Sequence, residues 1–381
     1  MTLKPAKFMT TIISFVALSM SGFHLYIAWQ GPPDALTLRA VHLAFALILV
    51  FLTSATKRDS KLGFRFDSLI LIILTIVTCG YLVLQQDYIV SRMVYVDPLR
   101  HIDWTLGIIT VLLVLEGTRR AVGWALPVTA IAFLAYALTI GGVDFERVTE
   151  QMYMGTEGIL GIPLYVSATY VMLFILFGAL VERTGTGALF MDFAMGLAGH
   201  SAGGPAKVSC ITSGMFGTVS GSAVANVMTT GAFTIPLMKR LGYKPAFSGS
   251  VEAVASTGGQ IMPPIMGATA FIMAEFLGIS YLKVAMYALL PALLYYVALF
   301  LSIHFEAKKN GMHGLKKSEL PKVSKVLKER GHLFLPLFII VGTLLLGFSA
   351  PFAALCGIAS TIPTALLRKT TRQYINLENI L

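Results

Sequence analysis

The chain has 381 residues, 56% of them hydrophobic and only 13% charged, with a formal net charge of +10. A soluble domain is roughly a quarter charged, and here apolar runs of about 20 residues recur, the length that crosses a bilayer as a helix. That excludes a soluble enzyme, and a β-barrel, whose strands would alternate over short segments.

The expected fold is an all-α polytopic membrane protein with about nine spanning helices. Apolar spans fall at 9–29, 36–54, 68–86, 104–118, 121–141, 163–181, 283–303, 332–349 and 351–367. The opening "MTLKPAKFMTTIISFVALSM" has a basic start and an apolar run. It reaches spanning length through "SGFHLYIAW" without a small-residue cleavage site, so it reads as a retained helix. Lys and Arg cluster between spans, which is the positive-inside pattern rather than a nucleic-acid footprint. Lys4, Lys7, Lys57, Arg58, Lys61, Arg65, Arg119 and Arg120 mark cytoplasmic segments, as do "KKNGMHGLKKSELPKVSKVLKER" and the final "RKTTRQ". Both termini are therefore expected in the cytoplasm, with the acidic "VDFERVTEQMYMGTEG" outside. Cys79, Cys210 and Cys356 lie far apart in apolar runs and have no metal-ligand spacing.

Two interruptions follow. Arg183 and Lys239 both read as cytoplasmic, yet the two apolar stretches between them are each short for a crossing. They flank "GTVSGSAVANVMTTG", which is rich in Gly, Ser and Thr and uncharged. A re-entrant hairpin fits, because irregular backbone at membrane depth is tolerated only where protein or a wet cavity surrounds it. Next, "SVEAVASTGGQIMPPIMGATAFIMAEF" is broken by Gly258-Gly259 and Pro263-Pro264. Proline removes an N–H and glycine frees the chain, so this reads as a discontinuous helix. A hairpin beside a broken helix is how secondary transporters bind ions and substrate.

The candidate site residues are Ser220, Gly221, Ser222, Asn226, Thr229 and Thr230 on the hairpin, with Thr257, Gly258, Gly259, Pro263 and Pro264 on the broken helix. Hydroxyls and unwound carbonyls suit a small hard cation, and helix N-termini suit an anionic substrate. Against this, Gly217-x-x-x-Gly221 also matches a simple close-packing motif. Glu252 is a possible functional carboxylate, although near the interface it is also placed to pair with Lys244. His24 and His42 read as packing residues. No base accompanies Ser220 in the manner of a serine hydrolase, so the chain is not read as an enzyme.

"GGPAKVSCITSGMFGTVSGSAVANVMTTGAFTIPLMKRLGY" and "GSVEAVASTGGQIMPPIMGATAFIMAEFLGISY" resemble the large membrane subunit of TRAP (tripartite ATP-independent periplasmic) transporters. "LVLEGTRRAVGWALPVTAIAFLAYAL" and the preceding helices resemble the TAXI-associated branch, in which the small and large subunits are fused. The resemblance implies a four-helix small-subunit part at 1–119 and large-subunit sequence at 120–381. It implies residence in the cytoplasmic (inner) membrane and Na⁺-driven elevator import of small organic acids, with no cofactor beyond that coupling ion. It also implies a TAXI-type periplasmic substrate-binding protein as partner, and a tentative Na⁺ site at Ser220, Asn226 and Gly258. One departure stands out: the family has two inverted repeats, and only the first set of hairpin and broken helix is found here. The expectation is either a separate chain carrying the second repeat or a truncated, non-transporting scaffold.

Overall fold

The computed structural model describes residues 5–56 and 66–374, and the described residues are helical without a strand. Lys4, Lys57, Arg58, Lys61 and Arg65, which carry part of the orientation argument, lie outside the described residues, as does the terminal segment 375–381. Among the described residues five helices are long and apolar enough to span a membrane: Met9–Gln30, Ala35–Ala55, Asp67–Leu84, Ile162–Arg183 and Tyr281–Lys309. Shorter apolar helices occupy Ala125–Thr139, Thr186–Ala198, Ala268–Leu277 and Ala350–Leu366. This is an all-α polytopic membrane architecture.

The chain divides into two compact units, Met1–Thr169 and Tyr170–Leu381. The division at 119/120 implied by the family resemblance concerns the origin of the parts, which packing alone does not address.

In the first unit come α1 (Pro5–Gln30), α2 (Ala35–Thr56), α3 (Phe66–Leu84), α4 (Gln86–Ser91), α5 (His101–Val122), α6 (Ala125–Thr139), α7 (Phe145–Thr149) and α8 (Ile162–Val166). The link from α1 to α2 is "GPPD", where Gly31 takes a positive φ and the Asp34 carboxylate accepts from the Thr37 N–H at 2.9 Å. Leu43, Leu47, Phe51, Leu82, Leu106, Leu113 and Tyr153 form the core. Gly117 lets α5 close on α2, since a Cβ there would stand 2.7 Å from the Leu47 side chain.

In the second unit come α9 (Met172–Arg183), α10 (Thr186–Ala198), α11 (Gly204–Ser220), α12 (Ala223–Arg240), α13 (Pro245–Gly258), α14 (Ala268–Leu277), α15 (Tyr281–Lys309), α16 (Val323–Arg330), α17 (Leu335–Leu345), α18 (Ala350–Leu366) and α19 (Lys369–Arg372). Helices α11 and α12 form the hairpin. They have 17 and 18 residues, and 1.5 Å per residue gives arms of about 26 Å, short of the ~30 Å hydrocarbon core. Between α13 and α14 the chain passes through a 3₁₀ turn at Gly259–Ile261 and an irregular segment holding Pro263-Pro264, joined by a cis bond. Gly267 N–H donates to the Gln260 carbonyl at 2.7 Å, closing that segment into a loop. The Tyr281 hydroxyl donates to the Pro264 carbonyl at 2.7 Å and to that of Ile265. Carbonyls within the irregular segment thus find a donor from α15, as burial requires.

Candidate functional site

Glycine positions the site. Gly221, at φ +60°, turns the hairpin, and a Cβ there would overlap the Met266 carbonyl oxygen in the helix break. One turn earlier, a Cβ on Gly217 would overlap the Gly259 Cα. The tip of α11 therefore rests backbone to backbone on the break, as small residues permit. The Ser222 hydroxyl caps α12 by accepting from the Ala225 N–H at 3.3 Å, and its side chain is exposed. The Ser220 Oγ is buried and has no hydrogen-bond partner. An unpaired buried hydroxyl is costly, so this atom needs an explanation.

Below the tip the interior is polar. Asn226 is fully buried and donates its side-chain N–H to the Ser213 carbonyl at 2.8 Å. Its Oδ1 accepts from the Thr230 hydroxyl at 3.1 Å. Farther along, Glu252 of α13 is also fully buried. Its Oε1 accepts from Thr230 at 2.5 Å, Ser213 at 3.1 Å and Ser256 at 3.1 Å. Its Oε2 accepts from Ser209 at 2.6 Å and from Thr234. Five hydroxyls from α11, α12 and α13 thus surround one carboxylate, and no ion pair to it is formed among the described residues. Lys244, the alternative partner considered from sequence, sits two turns away at the start of α13.

The candidates divide accordingly. Asn226, Thr230 and Glu252 converge in the interior of the hairpin and α13, with Ser220, Gly221 and Gly259 where the tip meets the break. Thr257 is exposed and bonds its own helix, donating to the Ala253 carbonyl at 2.7 Å. Gly258 faces away, toward the Tyr295 and Tyr296 rings of α15. Those two hydroxyls donate to the Val254 and Ala255 carbonyls, each at 2.8 Å. Thr229 reaches sideways to Glu182 of α9 at 2.8 Å. Pro263 and Pro264 shape the break and contribute carbonyls only. Of the tentative trio Ser220, Asn226 and Gly258, only the Ser220 side chain is uncommitted.

Sequence reading missed Ser209, Ser213, Thr234 and Ser256. The signal was present: Ser209/Ser213, Thr230/Thr234 and Glu252/Ser256 are each spaced i, i+4, which puts both members of a pair on one helix face. The donor set is all oxygen with a single carboxylate. Among the described residues no group of three or more His, Cys, Asp or Glu is placed to hold a metal. Such a set suits a hard monovalent cation rather than a transition metal.

Comparison with known proteins supplies the family. Residues 109–381 match the model of the tripartite ATP-independent periplasmic transporter, DctM component. The chain belongs to this family. TRAP permeases are transporters, not enzymes. Among relatives, the sialic acid TRAP transporter large permease protein SiaM of Vibrio cholerae is 29% identical over 235 residues, 61% of this chain and 52% of that protein. The isethionate TRAP transporter permease protein DctMQ of Oleidesulfovibrio alaskensis is 27% identical over 222 residues, 58% of this chain and 32% of that protein. The 2,3-diketo-L-gulonate TRAP transporter large permease protein YiaN of Escherichia coli is 24% identical over 224 residues, 58% of this chain and 49% of that protein. The TRAP chain described here thus spans about half the length of two of these relatives and about a third of the other.

Proposed function

We propose that this chain is the permease component of a Na⁺-driven TRAP importer of small organic acids, of the TAXI type with fused small- and large-subunit parts. It would reside in the cytoplasmic membrane, with both termini on the cytoplasmic side. Substrate arrives from a periplasmic binding protein, and the hairpin and broken helix carry it across by an elevator movement. The substrates named for three relatives, sialic acid, isethionate and 2,3-diketo-L-gulonate, are all organic anions, which supports that substrate class.

The observation that carries the reading is the seating of the hairpin tip on the helix break, with the Ser220 hydroxyl buried and unpartnered beside it. A cation there would take Ser220 Oγ and neighbouring backbone carbonyls as ligands. The substrate anion would meet the positive ends of the short helices that begin at Ala223 and Ala268.

The test is uptake of labelled organic acids into proteoliposomes with the cognate binding protein. This chain is assayed alone and with a polypeptide supplying a second repeat. Na⁺-dependent uptake in the second arm, reduced by Ser220→Ala, is the expected result. Folded, inserted protein that takes up nothing in either arm would make the chain a scaffold instead.

A further inference from the structure

We infer that Glu252 and its five hydroxyls form a second monovalent-cation site, deeper in the hairpin than the tip and distinct from it. The physiological ligand of this chemistry is Na⁺. For its role in transport the inference rests on the transporter reading above; the binding itself does not.

Charge is the first argument. Glu252 is fully buried in the protein, where an ionised carboxylate without a countercharge is costly even after relaxation. Facing it from α11 are Ser209 and Ser213, from α12 Thr230 and Thr234, and from its own helix Ser256. None is basic. Tyr296 of α15 is the other titratable group nearby, and its hydroxyl is committed to the Ala255 carbonyl. Lys207, on α11, turns to Ser201 at 3.1 Å and His304 at 3.0 Å. No side chain among the described residues supplies the compensating positive charge, so it must come from solution.

The second argument is the freedom of the hydroxyl hydrogens. A carboxylate offers about four lone-pair sites, and five hydroxyls crowd it. Two of these have a backbone carbonyl in reach as another acceptor. Thr230 Oγ lies 2.8 Å from the Asn226 carbonyl oxygen, and Thr234 Oγ lies 3.0 Å from that of Thr230. Each can turn its hydrogen back onto its own helix, four residues upstream, and present a lone pair toward the carboxylate. A cation then meets carboxylate oxygens and hydroxyl lone pairs together, with only hydrogens and small side-chain shifts required. One carboxylate gives a neutral complex with a monovalent ion and leaves a divalent ion undercompensated. Asn226 links this site to the tip, since it bonds Thr230 on one side and lies against Gly259 on the other.

The experiment is equilibrium binding of radiolabelled Na⁺ to the purified full chain in detergent, at constant ionic strength with choline as the replacement ion. Glu252→Gln is expected to weaken binding at one class of site about tenfold or more, while Asp192→Asn, an acid paired with Arg330 in the same unit, leaves it unchanged. Thr234→Val and Ser209→Ala, which keep the carboxylate, are expected to weaken binding severalfold each. Folded Glu252→Gln that binds Na⁺ as the parent does would overturn the inference. If that variant does not fold, parental binding by both hydroxyl variants overturns it equally. Intact, Glu252-dependent binding without uptake would sink the transport reading and leave this site standing.

Discussion

The two units differ in how they hold their acids. In the first, Glu150 is paired with Arg92 at 3.0 Å and accepts from the Tyr95 N–H at 3.1 Å. Asp103 accepts from the hydroxyls of Tyr81 at 2.6 Å and Tyr88 at 2.9 Å, and the Arg100 guanidinium lies 3.6 Å over the Tyr88 ring. Arg120 bridges Glu116 at 2.6 Å and Asp67 at 3.0 Å. Glu150, Glu116 and Asp67 thus have fixed cations, whereas Asp103 is held by two tyrosine hydroxyls and the Arg100 backbone N–H, with the Arg100 charge one ring away. In the second unit Glu252 has hydroxyls alone. A covalently tethered countercharge fixes geometry and cannot leave, whereas a ring of hydroxyls leaves the positive charge to a mobile partner. On this comparison the first unit is built to hold shape and the second to exchange an ion.

The largest effect that sharpens the contrast is expected in the first unit. Arg92→Ala leaves Glu150 buried without its cation and should cost about 3–5 kcal/mol, measured by thermal denaturation and the same with or without Na⁺. Gly221→Val comes next: a β-branched residue at positive φ that also collides with the Met266 carbonyl should cost about 3 kcal/mol. Glu252→Gln should remove a Na⁺-dependent increment only. A site filled at a hundredfold excess over its dissociation constant adds about 2.7 kcal/mol, so the parent's stability should rise with Na⁺ while the variant's does not. Thr229→Val, at a partly exposed bond to Glu182, should change stability by about 0.5 kcal/mol or less. A Na⁺ dependence at Arg92 equal to that at Glu252 would break the comparison.

Much of this was legible in the sequence. The apolar runs gave the helices, because a 20-residue span has few other solutions in a bilayer. Gly217, Gly221, Gly258 and Gly259 with the two prolines marked the hairpin turn and the break, because their backbone chemistry is local. What the sequence hid is which polar side chain faces which neighbour. Thr257 and Gly258 read as site residues from their position at the break; with about 100° per residue the helix leaves Thr257 exposed and packs Gly258 against the Tyr295 and Tyr296 rings. Ser209 and Ser213 lie before the glycine-rich stretch, 43 and 39 positions ahead of Glu252 on α13. Only packing brings them to Glu252. His24 and His42, read as packing residues, are buried as a pair with their ring nitrogens 2.8 Å apart, and His42 meets Ser167 at 2.9 Å.

Hydrogen–deuterium exchange of the full chain in Na⁺ and in choline tests the central claim most directly. Slower exchange in Na⁺ confined to the hairpin and α13, with the segments around Asp103 and Glu150 unchanged and the effect lost in Glu252→Gln, is the predicted result. Exchange that is indifferent to Na⁺ throughout the hairpin, in folded protein, would contradict it.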